Sequence, residues 1–72
     1  MQQSIHAKIR KTRLSRKFSQ QYMADKLGIN QSYYNKLENG KKILNLHHIQ
    51  QIAVILDIEI TELFGSNSNK SA

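Results

Sequence analysis

Only three residues, Gly28, Ile29 and Asn30, separate two segments with helical periodicity, and this short connection limits the fold more than any other feature of the chain. On one side, Gln20 to Leu27 places Met23, Ala24 and Leu27 at i, i+1 and i+4. On the other, Gln31 to Glu38 places Tyr34 and Leu37 at i and i+3. A turn of three or four residues containing glycine holds two helices at a steep angle. Gly28 can take the positive φ that ends the first of them. Ile29 plugs the corner, and Asn30 caps the N–H groups that open the second. Ala24 is small enough for a close crossing, while Met23, Leu27, Tyr34 and Leu37 pin both segments to one core. A generic pair of core helices is the plainer description, but it does not require Ala, Gly, apolar plug and cap in that order.

The rest of the chain reads as helix too. It has no proline and three glycines, at positions 28, 40 and 65, each where an apolar-periodic segment stops. A first helix is expected from about Ser4 to Arg13, with Ile5 and Ile9 one turn apart on its inner face. Ser19 is a good N-cap for helix 2, Asn30 for helix 3 and Asn45 for helix 4. Helix 4 spans Leu46 to Leu56, with Ile49, Ile52, Ala53 and Leu56 as its inward stripe. Its β-branched residues could suggest a strand, but the 3–4 spacing favours helix. Thr61 is expected to cap a last short turn carrying Leu63 and Phe64. The expectation is an all-α, five-helix domain over residues 1–65. The polar tail 66–72 lacks periodicity and is expected to be disordered.

Size and composition exclude much. A chain of 72 residues makes one small domain, and a domain near this length buries only about 60% of the surface its unfolded chain exposes. A large active-site cavity would consume such a core, so an autonomous enzyme is not expected. Cysteine is absent, which removes disulfides and thiolate metal sites. His6, His47 and His48 have no partners at metal-ligand spacing, and no phosphate loop or nucleophile–base pairing occurs, so no metal, cofactor or small-molecule ligand is expected. No apolar run approaches the roughly 20 residues of a membrane span, and Met1-Gln2-Gln3-Ser4 lacks the charged-then-apolar order of a signal peptide.

The net charge of +6 points to a polyanionic partner, either nucleic acid or an anionic membrane. Its distribution says more. Residues 1–42 carry ten basic and two acidic side chains, whereas residues 43–72 carry Lys70 against Asp57, Glu59 and Glu62. Lys8, Arg10, Lys11, Arg13, Arg16 and Lys17 crowd one short stretch. A solvated helix face and an anion-binding surface both fit such a run.

The stretch Phe18-Ser19-Gln20-Gln21-Tyr22-Met23-Ala24-Asp25-Lys26-Leu27-Gly28-Ile29, followed by Lys36-Leu37-Glu38-Asn39-Gly40-Lys41, resembles the Cro/C1-type helix-turn-helix family, the xenobiotic-response-element-like regulators that include lambdoid phage repressors. The likeness covers roughly residues 5–64. It implies a lambda-repressor-like DNA-binding domain, acting as a homodimeric repressor or autoregulator on a palindromic operator in double-stranded DNA. It also implies a cytoplasmic location in a bacterium or phage. Residue by residue, Gln20 is similar to the family glutamine that bonds a phosphate and braces helix 3. Asn39, with the backbone around Gly40 and Lys41, resembles a second phosphate clamp. Arg13 and Glu38 match positions that often form a partly buried salt bridge, which would make Arg13 structural. A loose surface pair is the alternative.

In helix-turn-helix proteins the second helix enters the major groove. The outward residues near its start are Gln31, Ser32, Asn35 and Lys36. Gln and Asn can pair two hydrogen bonds with adenine, and Lys favours guanine. Tyr33 could bond a phosphate or touch a thymine methyl; Tyr34 should point inward. Lys41 and Lys42 flank the clamp and should add attraction independent of sequence. Of the remaining N-terminal cations, Lys8, Arg10, Lys11, Arg16 and Lys17, a part is expected on the DNA side.

Some positions depart from the family pattern. The loop Lys41-Lys42-Ile43-Leu44 lacks a common proline, Asp57 stands where glycine often ends helix 4, and Thr12 replaces an apolar residue. Ile43, Leu44, Val54, Ile55 and Ile60 have no clear inward position, which suits either a dimer interface or extra core packing. A protein-interaction module such as an antitoxin, with DNA binding secondary, is the alternative function.

Overall fold

Each of the first four helices begins at a short polar side chain that accepts a hydrogen bond from the backbone N–H three residues on. Ser4 Oγ accepts from Ala7 at 3.1 Å, Ser19 Oγ from Tyr22 at 2.9 Å, Asn30 Oδ1 from Tyr33 at 2.8 Å and Asn45 Oδ1 from His48 at 2.8 Å. The computed structural model describes residues 4–64. Over that span the helices are α1 (Ile5–Ser15), α2 (Gln20–Leu27), α3 (Gln31–Glu38), α4 (Leu46–Leu56) and α5 (Ile60–Phe64). Gly65 and the tail 66–72, expected to stop the last helix and to be disordered, lie outside the described residues.

The helix ends explain where the sequence reading was incomplete. α1 to α4 all stop in the same way: one residue turns left-handed, and the next donates its N–H five residues back. Gly28 and Gly40 turn at φ of 75° and 80°, as glycine allows. Lys17 and Asp57 make the same turn at φ of 64° and 59° without that freedom. The closing bonds run from Phe18 to Arg13, Ile29 to Ala24, Lys41 to Lys36 and Ile58 to Ala53, at 2.8–3.1 Å. α1 therefore continues to Ser15 instead of ending near Arg13, because its stop is a lysine that carries no glycine signal. Thr61 is not a cap. α5 begins one residue before it, and the Glu62 carboxylate instead accepts from the Glu59 backbone N–H at 3.0 Å.

α2 packs on α3 and α4, α1 on α3, α4 and α5, and α4 on α5. Ile9, Met23, Ala24, Tyr34, Leu37, Ile49, Ile52, Ala53, Leu56 and Leu63 are buried between them. The plug residues Phe18, Ile29 and Ile58 lie half-buried against this core, so three helix ends are held by an apolar contact as well as a hydrogen bond. Leu44, Ile55 and Ile60 also pack on its edge. Of the five apolar residues without an assigned place, only Ile43 (86% exposed) and Val54 (78%) stand free. No helix among the described residues is long and apolar enough to cross a membrane.

Arg16, counted with the exposed basic cluster, has a structural role in addition. Its Nε donates to the Leu56 carbonyl at 2.8 Å and its Nη2 reaches the Asp57 carbonyl at 3.4 Å. This cation meets the negative end of the α4 dipole, which has no basic residue in its own last turn.

Asp57 is doubly mismatched there: it sits in a left-handed conformation and puts a negative charge at a helix C-terminus. Replacing it with glycine should raise stability by about 0.5–1 kcal/mol after the added chain entropy is offset. Urea unfolding of Asp57→Gly showing equal or lower stability would contradict this account of the α4 end.

Candidate nucleic-acid interface

The interface is built outward from one buried carboxylate. Glu38 is 4% exposed, and an ionised carboxylate is acceptor-only with about four lone-pair sites. Four donors fill them. Arg13 of α1 donates from Nε to Oε2 at 2.8 Å and from Nη2 to Oε1 at 2.9 Å, a bidentate fork. Tyr34, one turn earlier on α3, donates its hydroxyl to Oε2 at 2.6 Å. Gln20 at the start of α2 donates Nε2 to Oε1 at 3.1 Å. The remaining arm of the Arg13 guanidinium, Nη1, donates to the Phe18 carbonyl at 2.9 Å, bracing the turn into α2.

Burial by itself pushes the Glu38 carboxyl up, but the hydrogen bonds from Arg13, Tyr34 and Gln20, with the arginine charge, outweigh it and hold the group below its ordinary value. The hydrogen bond to Glu38 raises Arg13 further, against the opposing effect of its burial. Burial, and then the bond to the carboxylate, pushes the Tyr34 phenol well up.

From Glu38 the hydrogen bonds continue to the surface. Asn35 Nδ2 donates to Gln20 Oε1 at 3.1 Å, and Asn39 Nδ2 donates to Asn35 Oδ1 at 3.1 Å. Asn35 is half-buried and Asn39 exposed. Gln31, Ser32 and Lys36 are exposed on α3. Tyr33 is half-buried with its ring edge-on to His48, centroids 6.1 Å apart. Lys41 and Lys42 are exposed beyond the end of α3. Their backbone N–H groups both donate to the Lys36 carbonyl, at 2.8 and 3.2 Å, and that of Gly40 donates to Leu37 at 3.3 Å. The backbone donors expected to face a phosphate there are thus occupied within the chain. Asn39, Lys41 and Lys42 offer side chains instead. Among the ends of α1 to α4, α3 alone follows its left-handed residue with an exposed charge, Lys41, where the other three place an apolar plug.

Tyr34 points inward as expected, and its hydroxyl has a polar role that the apolar reading of this face does not include. The i, i+4 spacing of Tyr34 and Glu38 on one helix carried that signal. Arg16 had none, since its acceptors lie forty residues away in sequence. No group of three or more His, Asp or Glu side chains among the described residues could hold a metal.

A helix-turn-helix family profile matches residues 9–63, spanning α2, the Gly28 turn and α3. The chain belongs to the Cro/C1-type helix-turn-helix family. Members of this family are DNA-binding transcriptional regulators. Relatives within it include the control protein C.MunI of a Mycoplasma species, 34% identical over 47 residues that cover 65% of this chain and 64% of that protein. An uncharacterised HTH-type transcriptional regulator of Bacillus subtilis, YqaE, is 36% identical over 62 residues, 86% of this chain and 53% of its own length. The chain therefore spans less than two thirds of the length of either relative.

Stability should follow the titration of Glu38 and of Tyr34. Glu38, held low, contributes stability that is in place above its ordinary pKa of 4.5 and is lost as acid takes the pH down through its lower folded value. Tyr34, held high, contributes stability in place below its ordinary 10.0 and lost as alkali approaches its folded value. Tyr34→Phe should cost about 1.5–3 kcal/mol at neutral pH, the range for a hydrogen bond to a charged group, and should remove that phenol's share of the alkaline loss. A variant as stable as the parent in urea at neutral pH would refute the Tyr34–Glu38 bond as a stabilising contact.

Proposed function

We propose that the chain is a sequence-specific regulator of double-stranded DNA that inserts α3 into the major groove and acts as a homodimeric repressor or autoregulator. The observation that carries this reading is the presentation of α3. Its inner face is fixed by Tyr34, Leu37 and the four-donor Glu38, while Gln31, Ser32 and Lys36 project from its outer face. A rigid helix with free polar side chains at its N-terminal end is what reading base edges requires. In this reading Gln31 is the principal base contact, with Ser32 and Lys36 beside it. Gln20, Tyr33, Asn39, Lys41 and Lys42 grip the phosphates that set its register.

The exposed Ile43 and Val54 support the homodimer, and Leu44, Ile55 and Ile60, partly buried at the edge of the core, are the other apolar candidates for its interface. Two copies would place their reading helices about one DNA turn, ~34 Å, apart on a palindromic operator. The relatives named as a control protein and a transcriptional regulator agree with a regulatory role.

Two substitutions separate reading from gripping. Gln31→Ala should change the preference at one base-pair position, costing about 1–3 kcal/mol there. Lys41→Ala should weaken every duplex alike and lower the salt slope by about 1. Anisotropy titrations against single-base-pair variants of a bound duplex give both numbers. Equal losses on preferred and random DNA for Gln31→Ala would remove Gln31 from the base-reading role.

A further inference from the structure

Asn35 occupies an outward position on α3 where a base-reading role was expected, yet both ends of its amide are engaged inside the protein. Its Nδ2 donates to Gln20 and its Oδ1 accepts from Asn39. Bidentate recognition of adenine would call on those same two atoms.

The direction of these bonds is not arbitrary. An amide can usually be turned over, exchanging its N and O, unless its partners forbid it. Glu38 forbids it here. A carboxylate only accepts, so the Gln20 amide must present its nitrogen to Glu38. The Gln20 oxygen then faces Asn35, which must answer with its own nitrogen. The Asn35 oxygen in turn faces Asn39, which must donate as well. One buried charge thus fixes the orientation of three successive amides. Each NH2 group has two hydrogens and places one in the relay, leaving one N–H apiece for an outside acceptor. Phosphate oxygens are acceptors only, and a surface of pre-oriented N–H groups matches them.

We infer that Asn35 is a positioning residue: it links Gln20 to Asn39 so that the Glu38 carboxylate sets both phosphate-facing amides in the donor orientation, and it does not itself read a base. The inference rests on the DNA-binding reading above and moves Asn35 from the base-reading set expected from the sequence to the machinery that holds the backbone contacts.

The test uses the full chain with Asn35→Ala, Asn39→Ala and the double variant. Alanine is the stronger helix former, so Asn35→Ala should fold, and circular dichroism would confirm a temperature at which every variant is fully folded. At that temperature Asn35→Ala should lose roughly tenfold in affinity, about one hydrogen bond to a charged group. The loss should be the same factor on the preferred duplex, on its single-base variants and on random DNA. The salt slope should not move, since amides carry no charge and release no counterions. A merely structural contribution would lower the unfolding midpoint without touching affinity under these conditions. If Asn35 acts through Asn39, the double variant should lose much less than the product of the single losses. In the DNA-free protein, the Asn39 side-chain NH2 should exchange with water several-fold faster once Asn35 is removed.

A changed preference confined to one base position would overturn the inference by making Asn35 a reader, and so would unaltered affinity or losses that simply multiply. If the parent chain bound no duplex at all, the DNA-binding reading would fall by itself. The Asn39 exchange rate would then decide the relay alone, and an unchanged rate would overturn it.

Discussion

A buried carboxylate is tolerable only when every lone pair finds a donor, and the Glu38 carboxylate finds four. Two come from Arg13 on α1, one from Gln20 on α2 and one from Tyr34 on α3 itself. Removing charges from water costs several kcal/mol per ion, and the attraction between them offsets this only where geometry is good and the remaining sites are satisfied. Because the donors lie on three helices, satisfying Glu38 dictates how α1 and α2 are placed against α3. The same bonds make half-measures unstable: displacing α1 from α3 strands a charge, and displacing α2 leaves one lone pair of Glu38 without its donor. The small apolar core supplies the driving force, and the ion pair selects one arrangement of the helices around it.

The charges of the basic half divide into different jobs under this arrangement. Arg13 is buried and belongs to the fold, and Arg16 closes the end of α4. Lys26 lies over the Tyr22 ring, 5.5 Å from its centroid. Lys36, Lys41 and Lys42 stand exposed on and beyond α3. Net charge therefore overstates the attraction available to a polyanion, and the uncharged side chains of α3 carry whatever selectivity the proposed function has.

Much of the architecture was legible because local chemistry announces itself. Ser19, Asn30 and Asn45 are caps by type and position, and Gly28 and Gly40 mark left-handed turns. The same turn at Lys17 was hidden, since a lysine reaches that conformation only when the surrounding chain imposes it, whereas at Asp57 the family resemblance, which puts glycine there, marked the stop. α1 was accordingly read too short. Leu44, Ile55 and Ile60 have no inward position by helical spacing because their burial comes from neighbouring elements; Ile43 and Val54 remain without cover in the single chain. The site divides similarly. Tyr34 and Glu38, or Asn35 and Asn39, are one helical turn apart and could have been paired from sequence. The link from Gln20 to Asn35 crosses between helices, and without it Asn35 looks like a free polar residue on a reading face.

In the proposed function, the fold locked through Glu38 presents α3 as a reader of DNA sequence, in two symmetric copies. Selection of duplexes from a fully random pool by the 72-residue chain tests it most directly. The account predicts enrichment of a palindromic site whose half-sites are centred about one helical turn, ~10 base pairs, apart. A pool that binds but shows no sequence enrichment would contradict it.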